Sequence, residues 1–142
     1  MAETLTGRCL CGASTFTAQE GELGAGICHC GMCRHWSGGM YISVDCGSSV
    51  KFAEGSPVGS YKGSSWGERV FCKECGSSLL WQTQDGANQH VSIQCFEDPG
   101  QFELGIELFI DRKPENYALT GNRKTMTEAE VFAMFATEGG SE

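Results

Sequence analysis

Cys28-His29-Cys30-Gly31-Met32-Cys33 places three thiols within one short stretch, and two further segments echo it: Cys9-Leu10-Cys11-Gly12 upstream and Cys72-Lys73-Glu74-Cys75-Gly76 downstream. Two thiolates one or two residues apart can reach the same ion, because the turn between them aims both sulfurs inward and a following glycine lets the backbone fold tightly around them. Gly12, Gly31 and Gly76 fill that place. The chain has nine cysteines in 142 residues. Its start, Met1-Ala2-Glu3-Thr4-Leu5-Thr6-Gly7-Arg8, has neither the basic nor the apolar region of a secretion signal. A soluble, cytoplasmic protein is expected, and a reducing compartment favours metal ligation over a disulfide framework.

Closed structural zinc sites take four ligands, whereas catalytic sites keep three protein ligands and one open position. Seven clustered thiols divide into four plus three on that rule. The preferred division joins Cys9 and Cys11 to Cys72 and Cys75 as a closed site, leaving Cys28, Cys30 and Cys33 to wrap one face of a second ion. Spacing alone also permits Cys9 and Cys11 to pair with Cys28 and Cys30, or His29 to act as a fourth ligand. Since adjacent strand residues face opposite sides, His29 is expected to point away from the cluster, supporting it or lying at the surface. Cys46 and Cys95 stand alone beside apolar residues and read as structural, because a free cysteine behaves as a small buried hydrophobe. Cys30 and Cys33 also match a redox C-x-x-C, but such pairs open a helix after a strand in a βαβ pattern, which the sequence does not show.

Alternating apolar and polar residues mark short strands at Thr4–Arg8, Ala13–Thr17, Met40–Val44, Val50–Ala53, Gly59–Lys62, Arg69–Phe71, Ser78–Gln82, His90–Gln94 and Ile106–Ile110. Gln19–Gly26, acidic and glycine-rich, reads as an exposed turn. Before residue 120 no segment sustains a helical period. The expected fold is therefore mainly β, a single domain over residues 1–142 of antiparallel sheets built around two metal sites. Thr127-Glu128-Ala129-Glu130 is a capping box ahead of Val131, Met134 and Phe135, which predicts one short C-terminal helix before a frayed tail at Gly139–Glu142.

Ten basic against eighteen acidic residues give a net charge of −8. A phosphate-backbone binder normally carries the opposite sign, so no nucleic-acid partner is expected. No apolar run is long enough to span a bilayer, so no membrane partner is expected either. Directly after the three thiols, Arg34, His35, Trp36 and Ser37 are read as a loop offering a cation, donors and an apolar wall to a small polar substrate. The plainer alternative is Trp36 in the core with Arg34 and His35 on the surface. Trp66, Phe71 and Trp81 read as core or rim aromatics.

The segments G-R-C-L-C-G-A, C-H-C-G-M-C-R-H-W-S-G and F-C-K-E-C-G-S-S-L, in this order and spacing, resemble the glutathione-dependent formaldehyde-activating enzyme family, which includes the centromere protein V group. The resemblance runs from Leu5 to about Tyr117. It implies a β-tent-like fold with two zinc ions, a structural site at Cys9, Cys11, Cys72 and Cys75, and a catalytic site at Cys28, Cys30 and Cys33. It further implies carbon–sulfur lyase chemistry joining glutathione and formaldehyde as S-(hydroxymethyl)glutathione.

The ligand chemistry points the same way without the name. A zinc ion with three thiolates has a net negative charge, so it acidifies water less than a three-histidine zinc does. It suits a further sulfur ligand held beside a carbonyl carbon, which favours forming or cleaving a thiol–aldehyde adduct. The alternatives are a non-catalytic zinc-built binding module, and a redox or metal-handling protein. An incomplete three-thiol set favours catalysis over a purely structural knot.

Overall fold

The computed structural model describes residues 3–137, the last three by backbone alone. Eleven strands make two sheets among these residues. A small sheet contains β1 (Thr4–Arg8), β2 (Thr15–Gln19) and β5 (Lys51–Phe52), in the order β1-β2-β5. The large sheet contains β3 (Ala25–Cys28), β4 (Tyr41–Asp45), β6 (Val58–Tyr61), β7 (Gly67–Cys72), β8 (Ser78–Thr83), β9 (Gln89–Ser92), β10 (Leu104–Leu108) and β11 (Lys124–Met126). Its order is β11-β10-β3-β4-β9-β8-β7-β6. A short helix, α1 (Gly31–Ser37), follows β3, and α2 (Glu128–Thr137) ends the described chain.

The mainly β architecture with a short C-terminal helix is what the sequence predicts. Thr127 Oγ1 accepts from the Glu130 N–H at 3.2 Å and Glu130 Oε1 from the Thr127 N–H at 2.8 Å, the reciprocal pair of a capping box. Val131 is buried under α2, whereas Met134 is exposed. The Phe135 side chain and the Gly139–Glu142 tail lie outside what is described.

Three expectations change. The sheets are antiparallel except where β10 pairs parallel with both β3 and β11. β3 occupies part of the segment read as an exposed turn. Gly26 is there for close approach: a Cβ on it would lie 2.7 Å from Ile106 Cγ2 and 2.9 Å from the Ile106 carbonyl oxygen. Finally, the residues after Cys33 are helical rather than a loop, and a helix of two turns is too short to show a period in the sequence.

The large sheet has two dissimilar faces. In register, Val70, Leu80, Val91, Val44 and Ala25 run across β7, β8, β9, β4 and β3, all buried. They form the core with Phe16 of the small sheet, whose ring stands 5.4 Å from Phe52 and 5.8 Å from Phe96. Burying a phenylalanine this fully is worth roughly 1.5–3 kcal/mol. Gly7 permits it, because a Cβ there would lie 2.4 Å from the Phe16 ring. The next register row, on the opposite face, is Tyr61, Arg69, Trp81, His90 and Asp45. α1 packs on this face, with Trp36 against Tyr41 at 5.4 Å between ring centroids.

Candidate metal centre

The structure gathers the sulfurs into two groups, Cys9 with Cys11, Cys72 and Cys75, and Cys28 with Cys30 and Cys33, each with its sulfurs within 4.8 Å of one another. In the first group Cys9 and Cys72 each lead out of a strand into a turn. Gly12 and Gly76 close these turns at φ values of 83° and 81°, a conformation that glycine adopts at no steric cost. The Gly12 N–H donates to the Cys9 carbonyl and the Gly76 N–H to the Cys72 carbonyl. Ser77 ties the turns together, its hydroxyl accepting from the Leu10 N–H at 2.9 Å and lying 3.2 Å from Cys75 Sγ. Hydrogen bonding from Ser77 pulls the Cys75 thiol down to about 5.

A tetrahedral ion with metal–sulfur bonds near 2.3 Å requires sulfurs roughly 3.8 Å apart. Cys9 Sγ to Cys11 Sγ is 3.6 Å and Cys11 Sγ to Cys72 Sγ is 4.0 Å, so the four residues fit such an ion. Cys9 and Cys72 are buried while Cys11 is exposed, which sets the group at the edge of the core that Cys9 and Cys72 share.

The second group is built by the junction of β3 and α1. Cys28 ends β3. Cys30 is the N-cap of α1, its sulfur accepting the Cys33 N–H at 3.3 Å, and Cys33 lies buried one turn into the helix. The Cys30 thiol is pulled far down, first by hydrogen bonds from the Cys28 and Cys33 thiols and further by the Cys33 N–H and the Arg69 charge. The Cys28 thiol is correspondingly pushed up, first by its contacts with the Cys30 and Cys33 sulfurs and then by burial. A C-x-x-C opening a helix after a strand is thus present after all. The flanking strands β3 and β4 are antiparallel, however, so no βαβ unit surrounds it.

His29 is fully buried on the side opposite its two cysteine neighbours. Its Nε2 lies 2.8 Å from Glu107 Oε1 and its Nδ1 lies 3.2 Å from the Tyr117 hydroxyl, so both ring nitrogens are engaged. It is not at the surface. Arg123 Nη1 donates to the other Glu107 oxygen at 2.9 Å, and Lys113 Nζ donates to the Tyr117 carbonyl. The His29 and Arg123 contacts outweigh the burial that opposes ionisation and hold the Glu107 carboxyl below its ordinary value.

Glu107→Gln removes half of this buried pairing and is expected to cost about 3 kcal/mol at neutral pH, since the cost falls on the charge left behind. The sign with pH follows from the depressed value. The Glu107 contribution is complete above the unfolded glutamate range of about 4.3 and is lost as pH falls through the lower folded value. Melting curves of both proteins should therefore converge below about pH 4; a constant gap would contradict the ion pair.

The remaining expected residues are arranged by α1. Arg34 turns back to donate from Nε to the His29 carbonyl at 3.0 Å, His35 places Nδ1 2.8 Å from the Gly31 carbonyl oxygen, and the Ser37 hydroxyl donates to the Cys33 carbonyl at 2.8 Å. Trp36 is half-buried, between Tyr41 and the Arg69 guanidinium. Cys46 and Cys95 belong to neither group and are buried, and burial pushes each thiol up to about 12, in keeping with inert packing. Trp66, Phe71 and Trp81 are half-buried at the rim of the sheet. The sequence did not single out Arg69, Tyr117 or Arg123 as site residues.

A cleft of about 720 Å³ opens beside the four-cysteine group, lined by Cys9, Trp36, Ser37, Tyr41, Ser78 and Cys95 among others, and none of Cys28, Cys30 and Cys33 lines it. Among the described residues, no helix is long and apolar enough to cross a membrane.

Residues 4–112 match the sequence profile of the glutathione-dependent formaldehyde-activating enzyme family. The chain belongs to that family. A relative in Schizosaccharomyces pombe, described as an uncharacterized lyase, is 31% identical over 126 residues, which span 88% of this chain and 92% of the relative. A crystal structure of a Rhodobacter sphaeroides protein superposes with a TM-score of 0.57 at 21% identity, covering 66% of this chain and 88% of that one. At that identity the second likeness concerns the fold alone. Within the glutathione-dependent formaldehyde-activating enzyme family, then, this chain carries two cysteine groups, each able to hold a metal ion.

Proposed function

We propose that the chain is a zinc-dependent carbon–sulfur lyase that forms or cleaves a thiol–aldehyde adduct, with S-(hydroxymethyl)glutathione, from glutathione and formaldehyde, as the adduct family membership favours. One observation carries this reading: the commitment of both His29 ring nitrogens to Glu107 and Tyr117 leaves Cys28, Cys30 and Cys33 as a three-sulfur set without a fourth ligand among the described residues. The name of the Schizosaccharomyces pombe relative supports lyase chemistry.

In this reading Cys9, Cys11, Cys72 and Cys75 hold one zinc ion as a closed structural site, and Cys28, Cys30 and Cys33 hold a second. An ion held by Cys28, Cys30 and Cys33 would supply a soft, open position able to take a substrate sulfur and to lower its pKa toward neutrality. No dedicated general base is then needed. Arg34 fixes the turn that carries Cys28 and Cys30, and Trp36 forms the apolar wall. The cleft onto which Trp36, Ser37 and Tyr41 open has a volume of about 720 Å³, in the usual range for ligand sites of about 300–1,000 Å³ and enough for the body of a tripeptide thiol. Holding thiol and aldehyde together is the main source of rate acceleration.

Protein purified without added zinc should contain close to two zinc ions per chain, one of them removed readily by a chelator because its site is open. Incubated with glutathione and formaldehyde, it should speed adduct formation and breakdown over the spontaneous rates, and lose this when the labile ion is removed. One tightly bound zinc, or rates equal to buffer across a panel of thiols and aldehydes, would refute the proposal. Iron–sulfur absorbance would do the same.

A further inference from the structure

Arg69 is a buried cation without a carboxylate. Its residue exposure is 6%, and no ion pair to it exists among the described residues, whereas Arg112 and Arg123 pair with Glu128 and Glu107. Instead Arg69 Nη1 donates to Cys33 Sγ at 3.7 Å, and the guanidinium stands 5.2 Å from the centroid of the Trp36 ring. The strand places it there, since the Arg69 row of β7 faces α1. Among the described residues no equivalent cation serves the four-cysteine group, where Arg8 Nη1 donates to the carbonyls of Cys9 and Leu10 rather than to sulfur.

A buried guanidinium is expensive unless an anion compensates it, and the anion within its reach is the three-thiol group. Three thiolates around a divalent ion have one net negative charge, which Arg69 balances. A fourth ligand that binds as an anion then approaches a neutral assembly rather than a negative one. We propose that Arg69, held on the face of Trp36, is the specificity-determining residue of the three-cysteine site, selecting an anionic sulfur ligand over a neutral one for the open position. This rests on the thiol-binding reading above. It adds a residue outside the cysteine motifs that decides which chemical class of ligand the site accepts.

The test uses the cobalt-substituted full-length protein, whose sulfur-to-metal absorption reports the ligand set independently of turnover. Two probes are titrated: 2-mercaptoethanol, which binds as a thiolate, and imidazole, which binds neutral. In Arg69→Gln, thiolate affinity should fall on the order of tenfold or more while imidazole affinity is unchanged or higher, as expected for the loss of a nearby charge. Arg69→Lys keeps the charge and should hold the ratio of the two affinities within about threefold of wild type. If the glutamine variant fails to retain both metal ions, Arg69→Met, which also removes the charge, is read in its place, and a ratio shifted more than threefold in Arg69→Lys overturns the proposal. Equal losses for both probes in Arg69→Gln would show a merely structural arginine and overturn the proposal, as would undiminished thiolate binding in that variant. If 2-mercaptoethanol leaves the wild-type spectrum unchanged, the thiol-binding reading itself fails. If wild type and Arg69→Gln respond to 2-mercaptoethanol with equal affinity, the assignment of Arg69 fails and that reading stays in place.

Discussion

Cys72→Ser is expected to leave the chain unfolded or aggregated, with Cys9→Ser behaving alike. Cys72 closes β7, is fully buried, and has its sulfur 4.0 Å from that of Cys11. Through this group the turn after β1 is fastened to the turn between β7 and β8, far apart in sequence and in different sheets. A structural zinc contributes on the order of 10 kcal/mol to the folding of small zinc domains. Total stability of a domain is only about 5–15 kcal/mol, so losing most of the zinc term removes the folded state rather than loosening it. Serine compounds the loss, because its hydroxyl is a poor zinc ligand left in an apolar surrounding. Circular dichroism and thermal melts of the purified variants provide the measurement. A cooperative melt within a few degrees of wild type would show that the four-cysteine group does not hold the fold together.

How far the sequence reveals this architecture depends on the length over which each signal is spread. β1 stands at the expected Thr4–Arg8, and most other strands fall within two residues of their expected bounds, because alternation over four to six residues is visible in a single chain. The C-terminal helix was legible from its capping box. α1 was not: two turns carrying Cys33, Arg34 and Trp36 show no apolar stripe, since it packs through a thiol and an indole that meet the Arg69 guanidinium of β7. β3 was hidden by Gly26, which signals a turn in sequence but a tight strand crossing in space. The parallel pairing of β10 with β3 depends on segments nearly eighty residues apart, for which local pattern gives no hint.

The same contrast applies to the candidate centre. Cysteine clusters announce themselves by spacing, whereas their supporting residues are ordinary charged residues in ordinary strands. Glu68 and Arg69 are neighbours on β7, and only the position of α1 decides which of them meets the thiols. Glu107 lies in Leu104-Gly105-Ile106-Glu107-Leu108, where a single acid in an apolar strand reads as a surface face. Its burial becomes intelligible only when His29, directly after the neighbouring strand β3, arrives to meet it. Local sequence rules fail where long-range pairing brings unlike charges together, which is characteristic of functional sites.

Cys30→Ser should behave unlike Cys72→Ser: the chain should fold, retain one zinc ion and lose its activity. Cys30 is the N-cap of α1, with φ −66° and ψ 156°, and its side chain accepts the Cys33 N–H at 3.3 Å. Serine is among the best residues for that position, so its hydroxyl can take over the cap and α1 need not unravel. The half-buried position near the site's opening keeps the desolvation cost of the hydroxyl small. What serine cannot replace is the thiolate, since a hydroxyl at neutral pH is neither charged nor soft enough to hold zinc alongside Cys28 and Cys33. Zinc content should drop from two to one per chain, the chelator-sensitive ion being the one absent. Adduct formation from glutathione and formaldehyde should fall to the uncatalysed rate, while the melting temperature stays within a few degrees of the wild-type protein stripped of its labile ion. That reference is the one that matters, because bound zinc stabilises any state that holds it. If Cys30→Ser unfolds as completely as Cys72→Ser, the two groups share the structural task and the division into closed and open sites is wrong. If it keeps two zinc ions and full activity, the chemistry lies elsewhere.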